Sequence, residues 1–430
     1  TDRLTGTTYD IRARYLIGAD GANSKVLDDL GLPVEGQMGV SGSLNIVFEA
    51  DLSPWVEYRP SVLYWVIAPG SDRGGLGIGV VRMVRPWHKW LAIWNYDVAE
   101  GPPKLSDDEA ADIVRMLVGV PDLDVKIEAT SAWTVNDAYA TQLSDRRVFC
   151  LGDAVHRHPP TNGLGSNVSI GDAYNLSWKL AHVLRGQADP CLLDSYEAER
   201  APVARQTVVR ANKSLGDFPP ILAALGLLDT SDPDQMSANM AALRDTDTAS
   251  EQQRTALRTA INSTHYVYNT HGVEMNQRYT SAAVVPDGTP EPEWQRDPEL
   301  YYQPSTRPGA PLPHAWLNRG RSTVSTHDLV GHGGFTLLTG SSGHGWCQAV
   351  QAVTAKTGVP IAIQIIGPGQ AAEDPFGEFA AVRETDESGA LLVRPDHIVA
   401  WRRQSYDQSA CEELLEAVTH LLRPNHPIRR

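Results

Sequence analysis

Two stretches of this chain set a carboxylate behind a short apolar run and beside glycine. The first reads Tyr15-Leu16-Ile17-Gly18-Ala19-Asp20-Gly21-Ala22-Asn23-Ser24. The second reads Val148-Phe149-Cys150-Leu151-Gly152-Asp153-Ala154-Val155-His156, then Arg157-His158-Pro159-Pro160-Thr161-Asn162-Gly163-Leu164-Gly165-Ser166-Asn167. Ligands of α/β proteins sit at the carboxyl ends of strands. A carboxylate there accepts hydrogen bonds from sugar hydroxyls, and a glycine lets a ligand approach the backbone. The loop after Asp153 leads into a helical pattern, whose first turn offers free N–H groups and the positive end of a dipole. Gly163 and Gly165 would let those groups meet a flat or anionic ligand. Asp-Gly after a strand is more often a plain turn, so the long second composite carries the signal.

Other residues are open to two readings. Tyr64, Trp65, Trp90, Trp94 and Tyr96 could roof an apolar pocket for an aromatic ring, or serve as ordinary packing. His156 could contact a phosphate or nicotinamide, or be structural. A metal site is not expected there, because no carboxylate or Cys set accompanies the His pair. Cys150, Cys191, Cys347 and Cys411 form no CxxC motif, which excludes a zinc ribbon and a dithiol redox centre. A disulfide scaffold is excluded as well, and a reducing cytoplasm fits.

These residues need elements to position them. Residues 7–19 read as a strand entering a core. Strands are expected over 43–50, 61–68, 75–84 and 90–97, together a curved antiparallel sheet. A helix is expected over 105–118, with Ser106 as N-cap and Glu109 at the capping-box spacing. Residues 147–151 read as a strand. Ile170, Ala173, Leu176, Leu180, Val183 and Leu184 recur at helical spacing up to Gly186. A second helix over 192–214 should be disturbed at Pro202. Between Pro286 and Pro313 stand eight prolines in 28 residues, which reads as a surface linker. Beyond it, strands over 335–339, 360–366, 390–394 and 397–402 with helices over 346–357 and 410–422 make a mixed α/β domain.

The two carboxylate motifs resemble the second and third FAD motifs of the aromatic-ring flavoprotein hydroxylases, the p-hydroxybenzoate hydroxylase fold. Within that group the chain is most similar to the phenol 2-monooxygenases, the 2,4-dichlorophenol 6-monooxygenase type included. The likeness rests on Gly152 to Asn167, Asp172-Ala173-Tyr174-Asn175-Leu176-Ser177-Trp178-Lys179-Leu180 and Tyr196-Glu197-Ala198-Glu199-Arg200-Ala201-Pro202. Tyr268-Asn269-Thr270-His271-Gly272-Val273-Glu274-Met275 and Ser305-Thr306-Arg307-Pro308-Gly309-Ala310 extend it.

The resemblance implies an α/β and α+β fold. Residues 1–42 would be a partial Rossmann-like FAD-binding domain, 43–135 an antiparallel substrate-binding sheet and 136–285 a further FAD-binding segment with helices. Residues 286–313 would be the linker and 314–430 a thioredoxin-like domain. There Cys347 takes the place of a reactive thiol, but without a partner cysteine it is expected to be structural. FAD and NADPH are the implied cofactors. Asp153 would bond the ribityl hydroxyls, with Gly152 in its turn. Asp20 and Gly21 would lie near the pyrophosphate and ribityl chain. Gly165, Ser166 and Asn167, after Gly163, would meet the pyrimidine edge of the flavin through backbone and amide groups and stabilise negative charge there. Pro160 would pack near the flavin edge. Tyr64, Trp65, Trp94 and Tyr96 would line the substrate. The implied reaction is NADPH reduction of FAD, capture of O2 as a flavin C4a-hydroperoxide, and hydroxylation of a phenol ortho to its hydroxyl to give a catechol. The protein excludes water, orients the ring and favours phenolate character. The resemblance also implies a possible dimer or higher oligomer.

The family opens with a GxGxxG strand-helix unit, and nothing in residues 1–14 matches it. Residues 75–79 (Gly-Leu-Gly-Ile-Gly) lead into Val-Val-Arg rather than a helix start and are rejected as that fingerprint. Lys25 stands where many relatives carry Arg, keeping the charge but losing the fork. The expectation is a chain that begins inside a longer protein, with about 150 or more residues upstream, and that alone holds FAD poorly.

Length and charge bound the alternatives. The 430 residues suffice for two or three domains, and 42% hydrophobic with 21% charged residues reads as globular. A net charge of −15 argues against binding nucleic acid or anionic membranes through a basic surface. No apolar run reaches the ~18 residues of a spanning helix. Two rivals to the phenol reading stand: a related FAD hydroxylase of a bulkier aromatic or polyketide substrate, and a non-catalytic interaction protein docking through its C-terminal domain.

Overall fold

The computed structural model describes residues 1–67 and 79–423. Strand β1 (Leu16–Gly18) leads into helix α1 (Lys25–Leu30). Residues 7–14 form no strand, and Tyr9 and Ile11 are exposed. Only Leu16, Ile17 and Gly18 of the expected strand find a neighbour to pair with.

The largest sheet is antiparallel. It contains β2 (Val34–Glu49), β3 (Leu63–Val66), β4 (Gly79–Arg85), β5 (Lys89–Tyr96), β6 (Lys126–Ala140) and β9 (His156–Arg157), in the order β3-β4-β5-β2-β6-β9. Residues 68 and 75–78 of two expected strands lie outside the described residues, as does most of the rejected glycine run. The expected boundaries at 42/43 and 135/136 fall inside β2 and β6, which pair along most of their length. A short helix, α2 (Ser53–Val56), closes one end of the sheet.

Helix α3 (Asp107–Val118) starts where its sequence says it should. Ser106 and Glu109 form the reciprocal capping box, and Gly119 ends the helix in the left-handed region. Its buried face, Ala110, Val114 and Leu117, packs on Trp90, Ala92 and Trp94 of β5.

Strands β7 (Ser144–Asp145) and β8 (Val148–Cys150) complete a small sheet in which β1 lies parallel to β8. Two long helices follow, α4 (Gly165–Leu184) and α5 (Ser195–Leu215). Pro202 does not interrupt α5. A proline removes one helical hydrogen bond, and packing on both sides carries the helix through: Tyr196 donates to the Cys150 carbonyl at 2.9 Å, and Val203 and Val208 are buried. Five shorter helices come next: α6 (Pro219–Ala224), α7 (Pro233–Ala241), α8 (Thr248–Ser263), α9 (His265–Tyr268) and α10 (His271–Met275). The proline-rich stretch contains neither helix nor strand, as expected.

A hairpin, β10 (Trp316–Arg319) and β11 (Ser322–Ser325), introduces the last domain. Its sheet runs β13-β12-β14-β15, built from β12 (Phe335–Gly340), β13 (Ile361–Ile366), β14 (Ala390–Val393) and β15 (Val399–Arg403). Only β12 and β13 are parallel. Helices α11 (Gly345–Thr357) and α13 (Ala410–Leu422) cover one face, and α12 (Glu378–Val382) the other. Leu337 and Leu338 of β12 enter opposite cores, as period two requires of a strand buried on both faces.

That domain is joined to the long helices by a buried charge network. Glu199 of α5 accepts from Lys179 of α4 at 2.8 Å, from Arg394 at 2.6 and 2.9 Å, and from Ser281 at 2.6 Å. Asp396 pairs with Arg394 in turn. Burial alone would raise the Glu199 pKa, but Arg394 and Lys179 outweigh it and hold the carboxylate well below its usual range. Burial pulls Lys179 down to about 8. Removing one member leaves the others buried and unpaired, so Glu199→Ala should lower the unfolding free energy by about 3–5 kcal/mol in urea titration.

His182, 3% exposed, packs edge-on between Trp178 of α4 and Phe335 of β12. Among the described residues neither ring nitrogen has a hydrogen-bond partner. Burial, helped by Arg185, lowers its pKa. The unfolded chain therefore binds more protons than the folded one below about pH 6.5. This contribution is complete above that value and is lost as pH falls toward the folded pKa. His182→Phe should flatten the decline of thermal midpoint between about pH 6.5 and 5, and an unchanged slope would reject the assignment.

Candidate active site

β1 and β8 end side by side, with Gly18 opposite Cys150 and the Leu151 N–H donating to the Gly18 carbonyl at 3.0 Å. The two carboxylate motifs therefore emerge at one edge. Gly18 permits the close approach, because a Cβ there would lie 2.8 Å from Val26 and 2.9 Å from the Cys150 sulfur. Cys150 is inert: burial, with Asp20 nearby, pushes its thiol up to about 11.

Asp20 turns toward its own helix. It accepts from the Ser24 hydroxyl at 2.6 Å and the Val26 N–H at 3.1 Å, which hold its pKa down. Gly21 is half-buried in the turn between them. Asp153 is different: it is exposed, and among the described residues its carboxylate accepts no hydrogen bond. Its turn is held by Arg157, whose guanidinium donates to the carbonyls of Asp153 at 3.0 Å and Ala154 at 2.9 Å. Gly152 makes the turn at φ 66, a region that favours glycine.

Pro160 and Gly163 are exposed on the loop that follows. α4 then begins at Gly165 without a side-chain cap. Twenty residues of aligned peptide dipoles end there with their first N–H groups uncapped. Ser166 and Asn167 are exposed on this first turn, and no protein atom lies within 4 Å of where a Gly163 Cβ would be. The Asn167 amide donates back to the Gly163 carbonyl at 3.1 Å, so it closes the loop as well as facing the cleft.

Behind the loop stands a cluster whose members appear in the motifs but whose roles spacing alone did not reveal. Asp172 accepts from the Gly152 N–H at 3.0 Å, pairs with His156 Nε2 at 2.9 Å and accepts from Arg200 Nε at 2.7 Å. Arg200 also reaches the Tyr279 hydroxyl at 2.8 Å. Burial would raise the Asp172 pKa, but His156 and Arg200 bring it below the usual value. The readable signal was a carboxylate between apolar helix positions. His156 is 1% exposed, which gives it the structural role. His158 is half-buried against Gly165, with Nδ1 on the Pro159 carbonyl at 2.8 Å, and burial lowers its pKa.

The sheet aromatics separate. Trp90, Trp94 and Tyr96 lie in the core under α3, and Tyr64 packs on Trp90 with its hydroxyl on the loop at Arg59 and Ser61. These contacts are packing contacts. Trp65 alone turns to the helical segment, 4.4 Å from Phe218 between ring centroids. A cavity of about 440 Å³ lies beside the start of α4, lined by Leu164, Asn167, Arg200, Tyr279 and Asp396 among others, and its lining includes neither Asp153 nor Gly165.

The strand ends present an exposed carboxylate at Asp153, an uncapped helix start at Gly165 and open space beside Gly163, groups that could hold a flavin dinucleotide. Asp153→Ala should weaken FAD binding about tenfold, read by flavin fluorescence, and leave the urea midpoint unchanged because the side chain is exposed.

Residues 1–211 match the model of an FAD binding domain family, and residues 305–424 that of the aromatic-ring hydroxylase C-terminal domain. The chain is 62% identical to a 2,4-dichlorophenol 6-monooxygenase of Delftia acidovorans, over 98% of this chain and 72% of that protein. It is 45% identical to a phenol 2-monooxygenase of Pseudomonas sp. (strain EST1001), over 100% of this chain and 69% of that protein. The crystal structure of the flavin-dependent monooxygenase PieE with FAD and substrate superposes with a TM-score of 0.89 at 44% identity, covering 98% of this chain and 72% of that one.

Proposed function

The chain belongs to the FAD-dependent aromatic-ring hydroxylases, and from that premise we propose that it hydroxylates a phenol, 2,4-dichlorophenol or a close analogue, ortho to its hydroxyl. The balanced reaction consumes the phenol, NADPH, a proton and O2 and yields a catechol, NADP+ and water. The likeness to a chlorophenol monooxygenase over almost the whole chain carries the substrate class.

Bound FAD supplies the redox chemistry, accepting a hydride and passing one oxygen atom of O2 to the ring. The chain's own residues bind and orient. Asp153 would hold the ribityl hydroxyls. The first N–H groups of α4, at Gly165, Ser166 and Asn167, would hold the polar edge of the flavin, where a fixed dipole would stabilise developing negative charge without reorganising. Asp20 holds the first turn of α1 beside the pyrophosphate path. Asp172 fixes the Gly152 turn from behind. Pro160, exposed on the loop, would lie near the flavin edge, and Trp65 would approach the phenol from the sheet edge that packs on Phe218. Burial lowers the His158 pKa and so disfavours a positive charge on the loop. Among the described residues no helix is long and apolar enough to cross a membrane. The compartment proposed is a reducing cytoplasm, in line with four widely spaced cysteines that form no CxxC motif.

The experiment is turnover of phenol, 2,4-dichlorophenol and a panel of polycyclic aromatics, following O2 uptake and hydroxylated product. Catechol formation with simple phenols is expected. NADPH oxidation without catechol from any of them, with product from a polycyclic, would move the substrate to the bulkier class.

A further inference from the structure

The loop between Pro160 and α4 turns through two successive left-handed residues, Asn162 at φ 67 and Gly163 at φ 66. Asn is among the few side-chain-bearing residues that enter this region readily. Its side chain is fully engaged. The amide nitrogen donates to the carbonyls of Tyr266 at 2.8 Å and Val267 at 2.9 Å, and the amide oxygen accepts from the Ser214 hydroxyl at 3.1 Å. Ser214 is fully buried. Next to it, the Thr161 hydroxyl donates to the Ala211 carbonyl at 2.7 Å. The loop is thus fastened to the end of α5 and to α9.

The far side of α9 is held by a different group. Val267 packs with Phe218, Leu222 and Met236, and Trp65 of β3 leans on the same cluster. One short helix is therefore gripped by the flavin loop on one side and by the edge of the substrate sheet on the other.

We propose that Asn162 is a positioning residue, a latch that sets the flavin loop and the substrate-sheet edge in register through α9. It touches neither flavin nor phenol, since both its amide hydrogens and its oxygen are already engaged. The residue type follows from two demands: Gly would satisfy the backbone but not the latch, and Asp could not donate to two carbonyls. The catalytic consequence rests on the flavin hydroxylation proposed above; the mechanical one does not.

The test uses the full chain with Asn162→Gly, which keeps the left-handed turn and removes the latch, beside Asn162→Ala, which strains both. Backbone hydrogen exchange of the FAD-free proteins is the first readout. In N162G, the hydrogen-bonded amides of Gly163 and Val168 and amides 63–66 should exchange about tenfold faster, with β12 and β14 unchanged as controls for global folding. In the FAD-loaded protein, peroxide released per NADPH oxidised with 2,4-dichlorophenol should rise about threefold, with KM for the phenol changed less than kcat for catechol. Wild-type exchange at the Gly163 and Val168 amides in N162G overturns the latch. Faster exchange there with 63–66 unchanged overturns the coupling to the substrate sheet. If the wild-type protein hydroxylates no phenol, the functional reading fails by itself and the exchange data still decide the latch.

Discussion

Glu199 sits where water cannot reach it, and the rest of the molecule is arranged around that fact. An isolated carboxylate in such a place would have to take up a proton or rearrange. Lys179 and Arg394 prevent this by bonding its two oxygens, and Asp396 offsets the second positive charge. The partners belong to α4, to the irregular segment at Ser281 and to the turn after β14. Satisfying one charge therefore fixes the relative position of the flavin-side helices and the C-terminal sheet. The apolar core that includes Trp178, Phe335 and Trp346 fills the space around this constraint.

A second polar knot, at Asp172, does for the cleft what Glu199 does for the domains. It joins the Gly152 turn to β9 and α5, and those elements hold the exposed Asp153 and the uncapped start of α4. The groups that would meet a cofactor are left free, while one layer deeper the Asp172 carboxylate is engaged by Gly152, His156 and Arg200. That is preorganisation in a physical sense: the donors and dipoles are oriented before anything binds.

Much of this was legible in the sequence, unevenly. The C-terminal strands and helices, and α3 with its capping box, were readable because their periodicity and caps agree. β6 was not: its first half is solvent-facing and polar, so no alternation marks it. α6 to α10 are mostly short and lack a sustained apolar stripe. Within the cleft, Asp153 and the glycines stood out because a strand, a carboxylate and a glycine loop occur in order. Asn162 reads as an ordinary turn residue before glycine. Glu199 and Arg394 lie 195 residues apart, and no local pattern links them. The aromatic residues of β5 showed the opposite failure: their alternation was evident, but alternation does not say which face meets solvent, ligand or helix.

The same separation gives synthesis an order. A ribosome releases α4 and α5 long before it makes Arg394. Until then Glu199 has a single cationic partner, Lys179, and its final dry environment is out of reach. The early part of the chain must wait, partly solvated, for a residue near the other end, and closing that contact completes both halves together.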